Sequence, residues 1–291
     1  MSTDGDARHG VVSVGVAGAL GPEAIARIAA AVEQAGFHAL WVNDTPHGDS
    51  IAALTAAAAA TERLTLATGV IPLDRRPPGE VAEAIRAAGL PESRVSIGIG
   101  SGGTSRGALA LVREGIELLH GITRARVLIG ALGPKMRELA AREADGVLLN
   151  WVSPAVAAEQ AGQHRDSAGA RPGRVVVYAR TVVDDAARGR LRSEVAGYAS
   201  APKYAANFAR LGLDPFETVL PQPGDDDIRP GIVAYTSGVD ELVLRAITPD
   251  DDVQGYLDFV RRAADALGRP TPLERPAPFE RPAPRDPPEQ R

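Results

Sequence analysis

Val127-Leu-Ile-Gly-Ala-Leu-Gly-Pro-Lys-Met-Arg-Glu-Leu-Ala-Ala-Arg-Glu-Ala-Asp-Gly-Val-Leu-Leu-Asn150 reads as one complete β/α/β unit. Val127–Gly130 is a short apolar strand. Gly133-Pro134 then opens a helix, because proline at the first helical position gives up no hydrogen bond and already has a helical φ. Met136, Leu139 and Ala140 fall on one face at helical spacing. Asp145-Gly146 turns the chain into a second apolar strand, Val147–Asn150. Two strands joined through a helix run parallel, and both need cover on their outer faces.

The same grammar extends in both directions. Val11–Ala17, Ala39–Asn43, Leu64–Val70 and Val95–Ile99 are strand candidates before this unit; Val175–Val183 and Glu241–Ile247 follow it. Helices are expected after Gly21-Pro22, after Asp49 or Ser50, over Pro78–Ala88, from a Thr104 cap to Leu119, after Ser153-Pro154, from about Asp185 to Leu211, and over Asp251–Leu267. Eight strands with helical connections predict an α/β fold, a (β/α)8 TIM barrel, over 11–268. Leu213–Pro230, rich in Pro, Gly and Asp, is expected as an irregular insertion before the eighth strand. Residues 1–10 and the Pro- and Arg-rich 269–291 are expected to be disordered ends.

Composition narrows the function. The net charge of −5 over 291 residues gives a nucleic-acid partner no electrostatic support. No apolar run approaches a membrane span, and the N-terminus lacks a secretory apolar core, so a cytoplasmic protein is expected. With no cysteine there are no disulfides, thiolate nucleophiles or Cys-ligated metals. The two lysines, Lys135 and Lys203, fall outside the strands, which disfavours a Schiff-base aldolase.

Barrel chemistry sits where strands end and helices begin. That rule selects Asn43, Asp44 and His47 after the second strand, Thr68-Gly69 at the third, and Gly100–Gly103 after the fourth. It also selects Gly130–Gly133 after the fifth, Asn150-Trp151 after the sixth, and Tyr178 and Arg180 along the seventh. Of the five histidines, His9 lies in the tail, His38 and His120 at the wrong barrel end, and His164 on a helix; His47 alone reaches the catalytic face. It is either an acid–base group or an ordinary polar loop residue. No histidine pair has metal-ligand spacing, so no metal is expected.

Two glycine-rich loops stand out. Gly98-Ile-Gly-Ser-Gly-Gly103 matches G-x-G-x-x-G, but the expected acidic partner is misplaced, since Glu114 and Glu117 lie within the helix. Gly130-Ala-Leu-Gly-Pro-Lys135 leads into a helix N-terminus, where free N–H groups attract anions. The loops are either tight turns or a cradle for a phosphate-bearing cofactor.

Gly130-Ala-Leu-Gly-Pro-Lys-Met-Arg-Glu-Leu-Ala140 and Ala144-Asp-Gly-Val-Leu-Leu-Asn-Trp151 resemble the most recognisable block of luciferase-like, coenzyme F420-dependent oxidoreductases. Glu33-Gln-Ala-Gly-Phe-His-Ala-Leu-Trp-Val-Asn-Asp44, Thr61-Glu-Arg-Leu-Thr-Leu-Ala-Thr-Gly-Val70 and Ile97-Gly-Ile-Gly-Ser-Gly102 agree in order, so the resemblance covers Val11 to Leu267. It implies a deazaflavin or flavin (F420, alternatively FMN) bound across the barrel mouth, and a homodimer. It implies a non-prolyl cis peptide in Thr68-Gly69-Val70, between Gly69 and Val70, that backs the ring. It places Asn43 and Asp44 near the ring, and Gly100, Ser101, Gly102, Ala131, Leu132, Gly133 and Lys135 around the phosphate. The His and Glu of the sugar-phosphate dehydrogenase branch are missing, because Asp44-Thr45 and Ser101 occupy those places.

The resulting expectation is hydride transfer between F420 and a small organic substrate. His47, Asn150 and Arg180 are the catalytic candidates, and Tyr178 a further one to test. An FMN monooxygenase and a cofactor-binding barrel without turnover are the alternatives.

Overall fold

The computed structural model describes residues 9–104, 106–169 and 173–269. The expected disordered ends fall mostly outside them. The flanking residues are attached: the Gly10 N–H donates to Thr236 O at 2.7 Å, and Arg269 covers the Phe37 ring at 4.6 Å.

Strand and helix alternate as the apolar periodicity predicts: β1 (Val11–Ala17), α1 (Pro22–Gln34), β2 (Ala39–Asn43), α2 (Ser50–Ala59), β3 (Thr65–Pro72), α3 (Pro78–Ala88), β4 (Val95–Gly100), α4 (Ala108–Ile122), β5 (Arg126–Gly130) and α5 (Pro134–Glu143). They continue through β6 (Gly146–Asn150), α6 (Pro154–Ala168), β7 (Arg174–Thr181), α7 (Arg188–Ser200), α8 (Pro202–Leu211), β8 (Val219–Leu220), α9 (Arg229–Thr236), β9 (Glu241–Ala246) and α10 (Val253–Ala266). All pairings between named strands are parallel, in the order β6-β5-β4-β3-β2-β1-β9-β7, and β6 pairs with β7 to close the ring. The eight-stranded barrel expected from the sequence is therefore present, with helices between its strands.

Local starts follow capping chemistry. Asp49 accepts from Ile51 N and Ala52 N at the head of α2, and Ser153 caps α6 ahead of Pro154. Three expectations are corrected. Thr104 caps nothing; α4 begins later, behind Gly107 in the left-handed region. The long helix after Asp185 breaks at Pro202, whose ring and missing N–H end α7 and start α8. Leu213–Pro230 is more ordered than its composition suggests: it holds a 3-10 turn, the strand β8 beside β7, and the start of α9. Glu241–Ala246 is accordingly the ninth strand of the chain, though the eighth of the barrel.

The core has two shells. Between sheet and helices lies a continuous aliphatic layer, including Ile25, Ile28, Leu54, Leu66, Ile97, Val127, Leu149 and Phe259. Inside the barrel sit Ala39, Trp41, Ala67, Leu128, Leu148, Val176, Tyr178 and Val243. This inner set fixes which strand positions point inward, because side chains alternate along each strand. At the N-terminal end, inward Ser13 and Trp41 both donate to the Glu241 carboxylate, at 2.6 and 2.7 Å, and Arg174 pairs with it at 3.0 Å.

Candidate active site at the barrel mouth

Counting up the inward positions from that inner core leads to the C-terminal mouth. Asn43, Gly100, Gly130 and Asn150 end their strands there, Arg180 and Arg245 come one residue before the ends of theirs, and Gly69 lies in the second half of β3. Asn150 is in register with Tyr178 across β6 and β7, and Arg180 with Arg245 across β7 and β9.

The β3–β5 side is shaped by small residues. The Gly69–Val70 peptide is cis, at the place the resemblance implies, and the β3–β4 register slips between Thr68 and Ile71. The Thr68 hydroxyl fills the gap in the ladder, donating to Gly98 O at 2.9 Å and accepting from Gly98 N at 2.8 Å. Val70 packs against the barrel interior, and a β-carbon on Gly100 or Gly130 would come within 3.0 or 3.1 Å of it. The glycines therefore make room for Val70, which forms an apolar ledge. Beside it, the Asn43 side-chain amide donates to Gly69 O at 2.5 Å, while its buried Oδ1 has no partner among the described residues. Beneath, the Tyr178 hydroxyl is buried against Gly69 and also lacks a partner among the described residues. Burial pushes its pKa far up, so the phenol keeps its proton.

The β6–β7 side is polar. Arg180 is buried, donates to Glu194 at 3.0 Å and to Asn150 Oδ1, and stacks over Trp151 at 4.0 Å and Tyr198 at 4.9 Å. Two catalytic candidates, Asn150 and Arg180, are thus in direct contact. His47 stands apart on the rim, exposed in a tight turn closed by Thr45 and Gly48 through 3.3 and 3.2 Å backbone bonds.

The two glycine loops differ. In the first, the Gly103 N–H already donates to the Asp74 carboxylate at 2.6 Å, and a β-carbon on Gly102 would overlap that carboxylate. Lys203 ties the loop down through Gly102 O and Thr104 O at 2.9 and 2.7 Å. An acidic side chain thus occupies the donor that a phosphate would seek. In the second loop, Gly133 precedes α5 with no side-chain cap and open space around it, and Lys135 is exposed. Arg137 and Arg210 both donate to Leu132 O at 3.1 Å, and Ala131 is pinned to Leu148 O. Asp44, expected at the ring, is spent on Arg75, on Arg76 at 2.9 Å and on the Ser50 hydroxyl at 2.9 Å.

The fold is similar to that of known proteins. Residues 8–108 match the luciferase-like monooxygenase family model. The expected resemblance is borne out. Among solved structures, the chain is similar to the coenzyme F420-dependent tetrahydromethanopterin reductase of Methanopyrus kandleri, at 17% identity over 88% of this chain and 97% of that one, TM-score 0.65. It is similar to an F420-dependent secondary alcohol dehydrogenase solved with an F420–acetone adduct, at 15% identity over 90% and 100%, TM-score 0.68. It is also similar to the oxygenating constituent of 3,6-diketocamphane monooxygenase from Pseudomonas putida, solved with FMN, at 13% identity over 87% and 96%, TM-score 0.60.

Sequence reasoning missed Arg245, Asp74, Glu194 and Tyr198. A signal existed for the first: Arg245 is a charge that follows the apolar run Leu242-Val-Leu244 at an inward position of its strand. Asp74 and Glu194 carry none, because they reach the site from loop and helix. Among the described residues, no group of three or more His, Asp or Glu is placed to hold a metal, and no helix is long and apolar enough to cross a membrane.

Proposed function

We propose that the chain is an oxidoreductase that holds coenzyme F420 across the mouth and transfers hydride between it and a small organic substrate. The observation that carries this reading is the pairing of an apolar ledge with an orphaned acceptor. Val70 offers a flat backing, and beside it Asn43 Oδ1 is buried and unpaired. A planar heterocycle with ring N–H groups fits both, since a buried acceptor gains most from a donor that water cannot supply. When bound, such a cofactor accepts or gives up a hydride as a two-electron unit.

The chain's own residues then have definable tasks. Gly69, Val70 and Asn43 fix the ring's rear face, with Thr68 holding the β3 irregularity in place. Ala131, Leu132, Gly133 and Lys135 receive the cofactor phosphate at the uncapped α5 N-terminus. Gly100, Ser101 and Gly102 flank the cofactor sterically, since Asp74 takes their loop's donor. Asp44 positions Arg75 and Arg76. Arg180 and Asn150 face the substrate side; a guanidinium cannot exchange protons near neutral pH, so Arg180 stabilises negative charge. His47, as the imidazole of the rim, is the proton carrier.

A fluorescence titration with F420 and, separately, FMN tests the reading. Tight binding of F420 alone supports it. Preference for FMN moves the chain to the flavin monooxygenases, the activity named for the Pseudomonas putida neighbour. Binding of neither defeats the cofactor assignment.

A further inference from the structure

We infer that Arg245 forms, beside Arg180, a subsite for the carboxylate of a monoanionic organic substrate. The inference rests on the mouth being the active site, as proposed above.

The argument is one of unmatched charge. Three guanidinium groups matter here: Arg245 is in register with Arg180, and Arg190 donates to Thr248 O just beyond β9. Two carboxylates answer them. Glu194 pairs with Arg180 at 3.0 Å, and Asp251 pairs with Arg190 at 2.8 Å while accepting from the Tyr256 hydroxyl at 2.6 Å. Among the described residues, no carboxylate lies at ion-pair distance from Arg245; its hydrogen bond goes to Ala246 O. Arg245 is half-buried and none of its nitrogens is among the buried unpaired atoms of the described residues, so its unspent donors are open to solvent and hence to a ligand. Burial opposes its charge, yet its pKa lies above the usual arginine value, and near neutral pH the favourable field comes from the Glu194 and Asp251 carboxylates. The cation is therefore permanent.

Placement makes it accessible to a substrate. Arg245 is in register with Arg180 on one side and with Gly15 on the other. A β-carbon on Gly15 would come within 3.5 Å of the Arg245 Cα. The neighbouring strand therefore contributes no side chain at that level. Val70 and Asn43, on β3 and β2, line other parts of the same ring of strands, so a ligand anchored at Arg245 shares the mouth with the proposed cofactor position. The surplus is a single positive charge, which matches a carboxylate better than a phosphate dianion. The planar fork of a guanidinium also suits bidentate carboxylate binding.

The test needs no cofactor. Benzoate, phenylacetate and cyclohexanecarboxylate, each with its neutral amide, are titrated into the full chain by calorimetry, with inorganic phosphate as a further ligand. At least one acid is expected to bind about tenfold or more tighter than its amide, as a charge-assisted hydrogen bond implies. Arg245→Gln should abolish that preference, and Arg245→Lys should restore part of it. Equal binding of acid and amide, or no binding of any acid, overturns the subsite without any variant, so a misfolded variant does not protect the idea. Phosphate binding tighter than every acid overturns the carboxylate assignment. Loss of acid binding once F420 or FMN is saturating places Arg245 on the cofactor and also overturns it. Acid preference with no cofactor binding would keep the subsite and defeat only the hydride-transfer reading.

Discussion

The two ends of this barrel use buried polar groups in opposite ways. At the N-terminal end, Ser13, Trp41 and Arg174 converge on Glu241, and His38 contacts Arg174 at 2.9 Å. Both Glu241 oxygens are engaged there. At the C-terminal end, Asn43 Oδ1, Tyr178 OH and Trp151 Nε1 are buried without partners among the described residues, and none of their carboxylates pairs with Arg245. The first end saturates its carboxylate, leaving Arg174 Nε as a buried donor without a partner among the described residues, and stabilises the fold. The other leaves bonding capacity unspent, as expected of a surface that completes itself with a ligand.

The comparison breaks most sharply at Glu241. Glu241→Ala leaves a half-buried guanidinium and a buried indole N–H uncompensated, so a loss of about 3 kcal/mol in urea unfolding is expected, with cofactor affinity per folded molecule unchanged. A loss below about 1 kcal/mol would mean that the lower network is not the structural end.

Gly69→Ala tests the mouth next. A β-carbon there would overlap the Tyr178 hydroxyl, so about 1–3 kcal/mol of overpacking is expected, together with weakened cofactor binding. Gly133→Ala meets open space and should change stability by no more than about 0.5 kcal/mol. Equal effects at the two glycines would remove the distinction between a tight ledge and an open phosphate loop.

Asn43→Ala removes a hydrogen bond to Gly69 O, worth about 0.5–1.5 kcal/mol, and the orphaned acceptor with it. Cofactor affinity should fall about tenfold, as the loss of one buried hydrogen bond implies; unchanged affinity would detach Asn43 from the ring.

Acid should reveal a smaller effect. Burial lowers the pKa of His38 and of His164, whose ring nitrogens have no partners among the described residues. A histidine whose folded pKa is depressed favours the fold fully above its ordinary value of 6.5, and that contribution fades as pH falls below it toward the folded value. Stability should drop from neutral pH toward pH ~5, and His164→Phe should flatten the slope. A slope that His164→Phe leaves untouched would assign the acid sensitivity elsewhere. Smallest of all, His47→Ala at the exposed rim should leave stability within about 0.5 kcal/mol and cofactor affinity intact, while lowering turnover. Unchanged turnover would remove it as the proton carrier.

Much of this was legible early because it is local. The Gly-Pro helix starts at Pro22 and Pro134, the Asp49 and Ser153 caps and the apolar strands each follow from a few neighbouring residues. Leu213–Pro230 was not, because β8 exists only by pairing with β7, 39 residues away at Arg180↔Val219 and Thr181↔Leu220. The site divides the same way. Strand-end position alone singled out Asn43, Gly69, Asn150 and Arg180. It gave no warning that Asp74 would fill the first glycine loop, or that Arg75 and Arg76 would consume Asp44.

By itself, then, the sequence determined the repeating β/α alternation, the barrel and the ends of strands where chemistry belongs, because these depend on periodicity and caps within a few residues. Only the tertiary structure decided which polar groups are spent and which remain free. That depends on charges brought together across the barrel, such as Asp74 at Gly103, Glu194 at Arg180 and no carboxylate at Arg245. Pairing over such separations is set by packing geometry, which no local pattern encodes.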